Sequence, residues 1–209
     1  MGSPSDKSPS FDMHMYALGR LCIVWAYVDR LLNDTIQAFL GCSHAQAAII
    51  GTEADSAAAR CKMLQNLAFD GSPSEEWRDT FVALIKRLLD EYGPKRNRYI
   101  HDYWTVASGT LEKMDRRAAV KRAQSRQPPK LVFNTWQATP PKDVENLAVD
   151  LTITALGLQT AIADLTTWKR EGRLEGRGLL IQMGLARARL EHSPAPAAKR
   201  RGSPPTSPR

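Results

Sequence analysis

Cysteine is scarce in this chain of 209 residues: Cys22, Cys42 and Cys61 form an odd, widely spaced set of three. Such spacing builds neither a disulfide framework nor a zinc site, so reduced, small core residues are expected. Long apolar runs are missing too. Nothing approaches the roughly 18–20 consecutive apolar residues of a membrane span, and no basic-then-apolar leader opens the sequence. A cytoplasmic protein without membrane contact is expected. His14, His44 and His192 stand at no metal-ligand spacing from a cysteine or carboxylate. There is no G-x-x-x-x-G-K-[S/T] loop and no G-x-S-x-G elbow, and the stretch around Gly157 falls inside a predicted helix. Neither a metal nor a cofactor is expected, and no internal repeat is visible.

What is present begins with charge. The formal net charge is +7. Residues 113–130 hold seven Lys/Arg against Asp115 alone, and residues 171–209 hold eight against three Glu. Those two segments carry more than the whole excess, so the body between them is mildly acidic. Basic segments on an acidic body would collect polyanions such as nucleic acid, or serve solubility alone.

The rest is helical in pattern. In 13–40, Leu18, Leu21, Trp25, Val28, Leu32, Thr35 and Phe39 recur three and four apart, and Gly41 suits a left-handed cap. Ser43 and Gln46 make an S-x-x-Q capping box for a second stretch, predicted to break near Gly51 and resume around Asp55. Its later part repeats Ala57, Cys61, Leu64 and Ala68 on one face. Ser74 then caps a third helix lined by Trp77, Phe81, Leu84, Leu88 and Tyr92, which Gly93 should stop. Pro94 should open another. Segments 103–110 and 131–137 favour strands, predicted to pair around a basic loop 111–130. A last long helix follows Thr139 as N-cap, with Val144, Leu147, Leu151, Leu158, Ile162 and Leu165 inward, ending near Trp168. The expected fold is all-α: a bundle of four to five helices with a small β-hairpin insertion at about 103–137. Residues 1–10 are expected to be disordered, 11–170 to form the helical domain, and 171–209 to be a basic, largely disordered tail in which 176–192 suits a short amphipathic helix.

The segment GPKRNRYIHDYW, 93–104, concentrates the chemistry. With a helix starting at Pro94, Arg96 and Asn97 would sit among unpaired N–H groups at a positive dipole end. Asn97 and His101 are four apart and share a face, while Arg96 and His101 stand about 140° apart at ~100° per residue. A titratable ring, a phosphate-binding fork and an amide suit RNA cleavage without a metal. One His per chain supplies one proton-transfer group where the reaction needs two, so a symmetric homodimer would complete the site. A purely structural reading is also open from these residues: His101 packs at a helix interface, Arg96 pairs with a carboxylate, and Asn97 helps to cap.

Arg96-Asn97-Arg98-Tyr99-Ile100-His101 fits R-x(4–6)-H with a polar residue directly after the Arg. In this the chain resembles the HEPN superfamily. Trp25 and Asp29 before Leu31-Leu32 look like the first helix of some members. The resemblance covers about 13–168 as an architecture and 96–101 as a specific motif. It implies a HEPN-like bundle and a dimeric, metal-independent endoribonuclease, often a toxin or antiphage effector. Arg96 would hold the scissile phosphate, Asn97 would orient it or the His, and His101 would move the proton. The products would be 2′,3′-cyclic phosphate and 5′-hydroxyl ends. Lys95, Arg98, Lys113, Arg116, Arg117, Lys121 and Arg122 are the candidate RNA-binding cations. His101-Asp102-Tyr103 also resembles the H-x-Y of toxins whose nucleotidyltransferase antitoxin modifies the tyrosine, making Tyr103 a candidate target and such an antitoxin a candidate partner; Tyr103 as a core aromatic is the competing reading. Asp102 departs from the small residue of many relatives, and its carboxylate either favours a charged His101 or points away. Some members of the superfamily do not cut and act as dimerising or RNA-binding modules, which is the alternative function.

Overall fold

The computed structural model describes residues 9–107, 110–114, 119–121, 130–132 and 137–172. Among them are six α-helices: α1 Pro9–Leu40, α2 His44–Glu53, α3 Ala57–Asp70, α4 Glu75–Arg87, α5 Gly93–His101 and α6 Pro141–Glu171. The described chain is mostly helical, as the periodicity predicts. α1 begins at Pro9 rather than 13, so its first turn reaches into the stretch expected to be disordered, and most of the predicted tail lies outside the described residues.

α1 and α6 form the most extensive helix contact and run parallel. The pairing can be followed along both helices: His14 Nε2 donates to the Thr139 carbonyl, Arg20 faces Glu145, Gln159 donates to the Tyr27 hydroxyl, and Lys169 Nζ donates to the Phe39 carbonyl. In the groove between them lies a third rod running the other way. Its start is fixed where Trp77 Nε1 donates to Asp164 Oδ2 at 3.0 Å, and Phe39, Trp77 and Phe81 pack together. The predicted stripe of Trp77, Phe81, Leu84, Leu88 and Tyr92 is buried in full. Four fully buried large side chains of this rod, Trp77, Phe81, Ile85 and Leu88, meet leucines and isoleucine from α1, α3 and α6, which is the hydrophobic term that holds the bundle.

That rod corrects one prediction with consequences for function. Gly93 does not stop a helix; Pro94 lies in the first turn of α5, as predicted, but that turn continues the rod instead of opening a separate helix. Leu88–Tyr92 form a π-helical turn, Gly93 N–H bonds back to Leu88 O, and Gly93 keeps right-handed helical dihedrals. The wider turn shifts the hydrogen-bond register just where Pro94 cannot donate, so the helix continues across it. A side chain at 93 would be tight against the π-turn: a Cβ there would stand 3.1 Å from Leu88 O, with Trp25 Cη2 at an ordinary contact distance of 3.7 Å.

Gly51 likewise does not break α2. It is buried inside that helix, and a Cβ would meet the Asn33 amide at 2.2 Å. The break comes at 54–56, where Asp55 takes a left-handed φ of 45°. The capping box at Ser43 and Gln46, the Ser74 cap and the left-handed Gly41 form as predicted. At α6 the N-cap is Pro140, because the Thr139 carbonyl is engaged by His14.

The strands pair differently from the prediction. β1 Tyr103–Ala107 pairs antiparallel with β2 Thr110–Met114, and β5 Gln137–Ala138 adds to β2. β3 Ala119–Lys121 pairs with β4 Lys130–Val132. The register runs from Tyr103↔Met114 to Ala107↔Thr110, so part of the predicted basic loop belongs to a sheet. By length and composition α6 is the one described helix apolar enough to cross a membrane, a test that core helices of bundles also pass.

Candidate functional site

Arg96, Asn97 and His101 all fall on α5, but not on one face. Pro94, Asn97 and His101 line its exposed side, whereas Arg96 turns inward. The Arg96 guanidinium lies 5.0 Å from the centroid of the Trp25 ring, a cation–π contact with α1, and its Nη1 donates to Asn97 Oδ1 at 3.0 Å. Asn97 thus holds the inward arginine and shares the exposed side of α5 with His101. His101 is exposed and has no hydrogen-bond or ion-pair partner among the described residues. Because the helix is continuous through Gly93, the predicted cradle of free N–H groups around Arg96 is not there; any anion would be held by side chains.

Asp102 points away from His101. Its carboxylate, only 6% exposed, takes Lys113 Nζ at 3.4 Å and Arg98 Nε at 3.7 Å. Lys113, 13% exposed, also sits 4.8 Å from the Tyr99 ring centroid. Together with Trp104 Nε1 donating to Tyr99 O at 3.0 Å, this clamps the first hairpin onto the end of α5. Lys113 is thus committed to the fold. Lys95 pairs with Glu91 at 2.7 Å, and Arg98 remains largely exposed. Lys121 ends β3 opposite Lys130; Arg116, Arg117 and Arg122 lie outside the described residues. Tyr103 is 54% exposed, against the core-aromatic reading, and it is Trp104 that turns inward to pack edge-on against His14.

A cleft of about 390 Å³ opens beside Arg96, walled by α1, the start of α3 and the π-turn. Trp25, Asp29, Asp55, Arg60 and Asn97 line it. Arg60 donates to Gly51 O at 3.3 Å and pairs with Asp29. Sequence reasoning placed Trp25 in the core stripe and did not bring Arg60 or Asp55 to the site. No local signal pointed to them, since Arg60 reaches Asp29 across 31 residues of sequence. Burial, with a further push from Asp29 against the pull of Arg60, moves the Cys61 thiol up to about 12, which makes it a packing residue and not a nucleophile. Burial and Asp150 move Tyr92 to about 12 as well, and burial raises Tyr99. No group of three or more His, Cys, Asp or Glu suited to a metal occurs among the described residues.

The described chain is thus a mainly helical bundle that displays an Arg–Asn–His unit on a helix surface beside a polar, aromatic-walled cleft. Compared with family models, with curated proteins and with solved structures, it matches none.

Proposed function

We propose that the protein is a metal-independent endoribonuclease of HEPN type acting as a homodimer. Arg96 binds and steadies the scissile phosphate, Asn97 orients it, and His101 transfers protons together with its copy from the second chain. The 2′-hydroxyl attacks phosphorus and the 5′-oxygen leaves protonated, giving a 2′,3′-cyclic phosphate and a 5′-hydroxyl. The observation that carries the reading is the linked unit on α5: an arginine with one of its five donors engaged, tied through Asn97 to the face that bears an unpartnered histidine. The two-fold axis of the dimer passes the Pro94–Asn97–His101 stripe. A toxin or antiphage role, a cytoplasmic setting, and a nucleotidyltransferase antitoxin acting on exposed Tyr103 belong to the same proposal. Cleavage of a total tRNA pool and a structured mRNA in EDTA tests it, with cutting expected from the wild type and lost in His101→Ala.

One feature favours a second reading, a non-catalytic module that dimerises or binds RNA. Tyr16, Ile23 and Tyr27 of α1, with Val149 and Leu156 of α6, expose apolar surface; Ile23 alone is 73% exposed. Ile23 lies about 200° round α1 from Trp25 at ~100° per residue, so this face looks away from the motif. A dimer built on it would keep the two His101 rings apart. Binding of RNA by a dimer that never cuts is the outcome this reading expects.

A further inference from the structure

The cleft beside Arg96 has more unused hydrogen-bonding capacity than packing explains. Arg96 engages one Nη1 donor on Asn97, and its remaining Nη donors have no partner among the described residues; its Nε and that of Arg60 are buried without a partner and do not open on the cleft. The Trp25 indole N–H and the Asp55 carboxylate have no partner among the described residues. At the first turn of α3, Ser56 Oγ accepts from Ala59 N–H, and Ser56, Ala57 and Ala58 line the same space. Cationic donors, a carboxylate and an aromatic wall therefore share about 390 Å³, within the ~300–1,000 Å³ range of small-molecule sites. A purely anionic ligand would be repelled by Asp55 and Asp29, and a purely apolar one would strand the arginines. A nucleotide meets all three demands at once.

We infer that this cleft is the subsite for one guanosine of the RNA, the nucleotide whose 3′-phosphate is cut. The inference rests on Arg96 as the ligand of that phosphate. The base enters the cleft with its ring against Trp25 and its Watson–Crick edge on Asp55. Guanine is the base that fits, because its N1–H and N2–H₂ are adjacent donors that one carboxylate accepts together. Adenine and cytosine each put an acceptor beside their amino group, and uracil flanks its single N–H with two carbonyls, so each would set an acceptor against the carboxylate. The enzyme then cuts after guanosine. Asp55 is also where the backbone tolerates the test: at φ 45° asparagine is among the few residues that replace aspartate without strain.

The experiment is equilibrium binding of guanosine, adenosine, cytidine and uridine 3′-monophosphates to the full chain. The variants are Asp55→Asn, Ala58→Leu, which fills the cleft from the exposed start of α3, and His101→Ala. The expected result is about tenfold tighter binding of the guanosine nucleotide than of the others, the scale of one bidentate base contact. Asp55→Asn should erase that preference, weakening the guanosine nucleotide and tightening the adenosine one, whose amino group and ring acceptor match an amide; Ala58→Leu should weaken all four, and His101→Ala should keep the preference. Equal binding of the four nucleotides, no binding at all, or a preference untouched by both Asp55→Asn and Ala58→Leu would overturn the subsite. Guanosine-selective binding without RNA cleavage keeps the subsite and removes the nuclease. RNA cleavage with no nucleotide preference keeps the nuclease and removes the subsite.

Discussion

Replacing Asp102 by alanine should be costly out of proportion to its size, because of what it leaves behind. Lys113 keeps an ammonium group on a side chain 13% exposed, with its carboxylate at 3.4 Å removed and only the Tyr99 ring, 4.8 Å away, to compensate. Truncating one partner of a buried pair typically costs about 3–5 kcal/mol, and the residual exposure of Lys113 puts this site at the low end. Asp102→Ala is therefore expected to lose about 3 kcal/mol. For a domain of this length that lowers Tm by about 6–12 °C, at roughly 2–4 °C per kcal/mol. Lys113→Met should cost less, about 1 kcal/mol, since Arg98 already stands 3.7 Å from the carboxylate and can take it over. The double variant removes both charges and should cost no more than about 1 kcal/mol, a non-additivity well outside the few tenths seen for independent sites. Urea denaturation of the four proteins followed by circular dichroism reads all three numbers. Additive losses, or an Asp102→Ala protein within about 0.5 kcal/mol of wild type, the range of an ordinary surface change, would refute the clamp and with it the account of how the hairpin is fixed beside His101.

Asp150 sits half-buried among Glu91, Lys95 and Arg87; burial first, then Glu91, raises its pKa above the ordinary 3.8. A carboxyl with a raised folded pKa contributes its stability below the unfolded value and loses it as pH rises through the folded one. Asp150→Asn should accordingly raise Tm at pH 7, and the gain should vanish below about pH 3.8, as thermal melts across pH would show. At pH 8, iodoacetamide should modify the exposed Cys22 readily. Cys61, buried and with its thiol pushed up to about 12, should react only after denaturant is added; peptide mass mapping distinguishes the two.

The helices were legible because their signals are local. The Ser43–Gln46 box, the Ser74 cap, the Gly41 turn and the Trp77-to-Tyr92 stripe each lie within a few residues, and each forms as predicted. Gly93-Pro94 misled for an equally physical reason. That pair is the usual mark of a helix end, but a π-turn and the Trp25 contact, sixty-eight residues away in sequence, stabilise a path through it. Strand pairing failed because β-branched content marks a strand without naming its partner; β1 pairs with β2, the nearer segment in sequence, which costs less loop entropy than pairing across 111–130. The motif residues were visible, but not that Arg96 faces inward while His101 faces out, nor that Asp102 belongs to Lys113. Those depend on which face of α5 meets α1, and nothing within the segment specifies that. The cleft was hidden for the same reason: Asp29 and Arg60 form a pair only once α1 and α3 have docked.

The claim at the centre is that the α5 unit breaks RNA without a metal, and end-group mapping tests it most directly. RNA treated in EDTA with wild type, Arg96→Ala and His101→Ala proteins, each shown folded by circular dichroism, is analysed for the chemistry at both sides of every cut. The account predicts 2′,3′-cyclic phosphate and 5′-hydroxyl ends from the wild type, and neither from the two variants. Cuts left by His101→Ala at the wild-type rate, or 5′-phosphate ends that appear only with added magnesium, would contradict it.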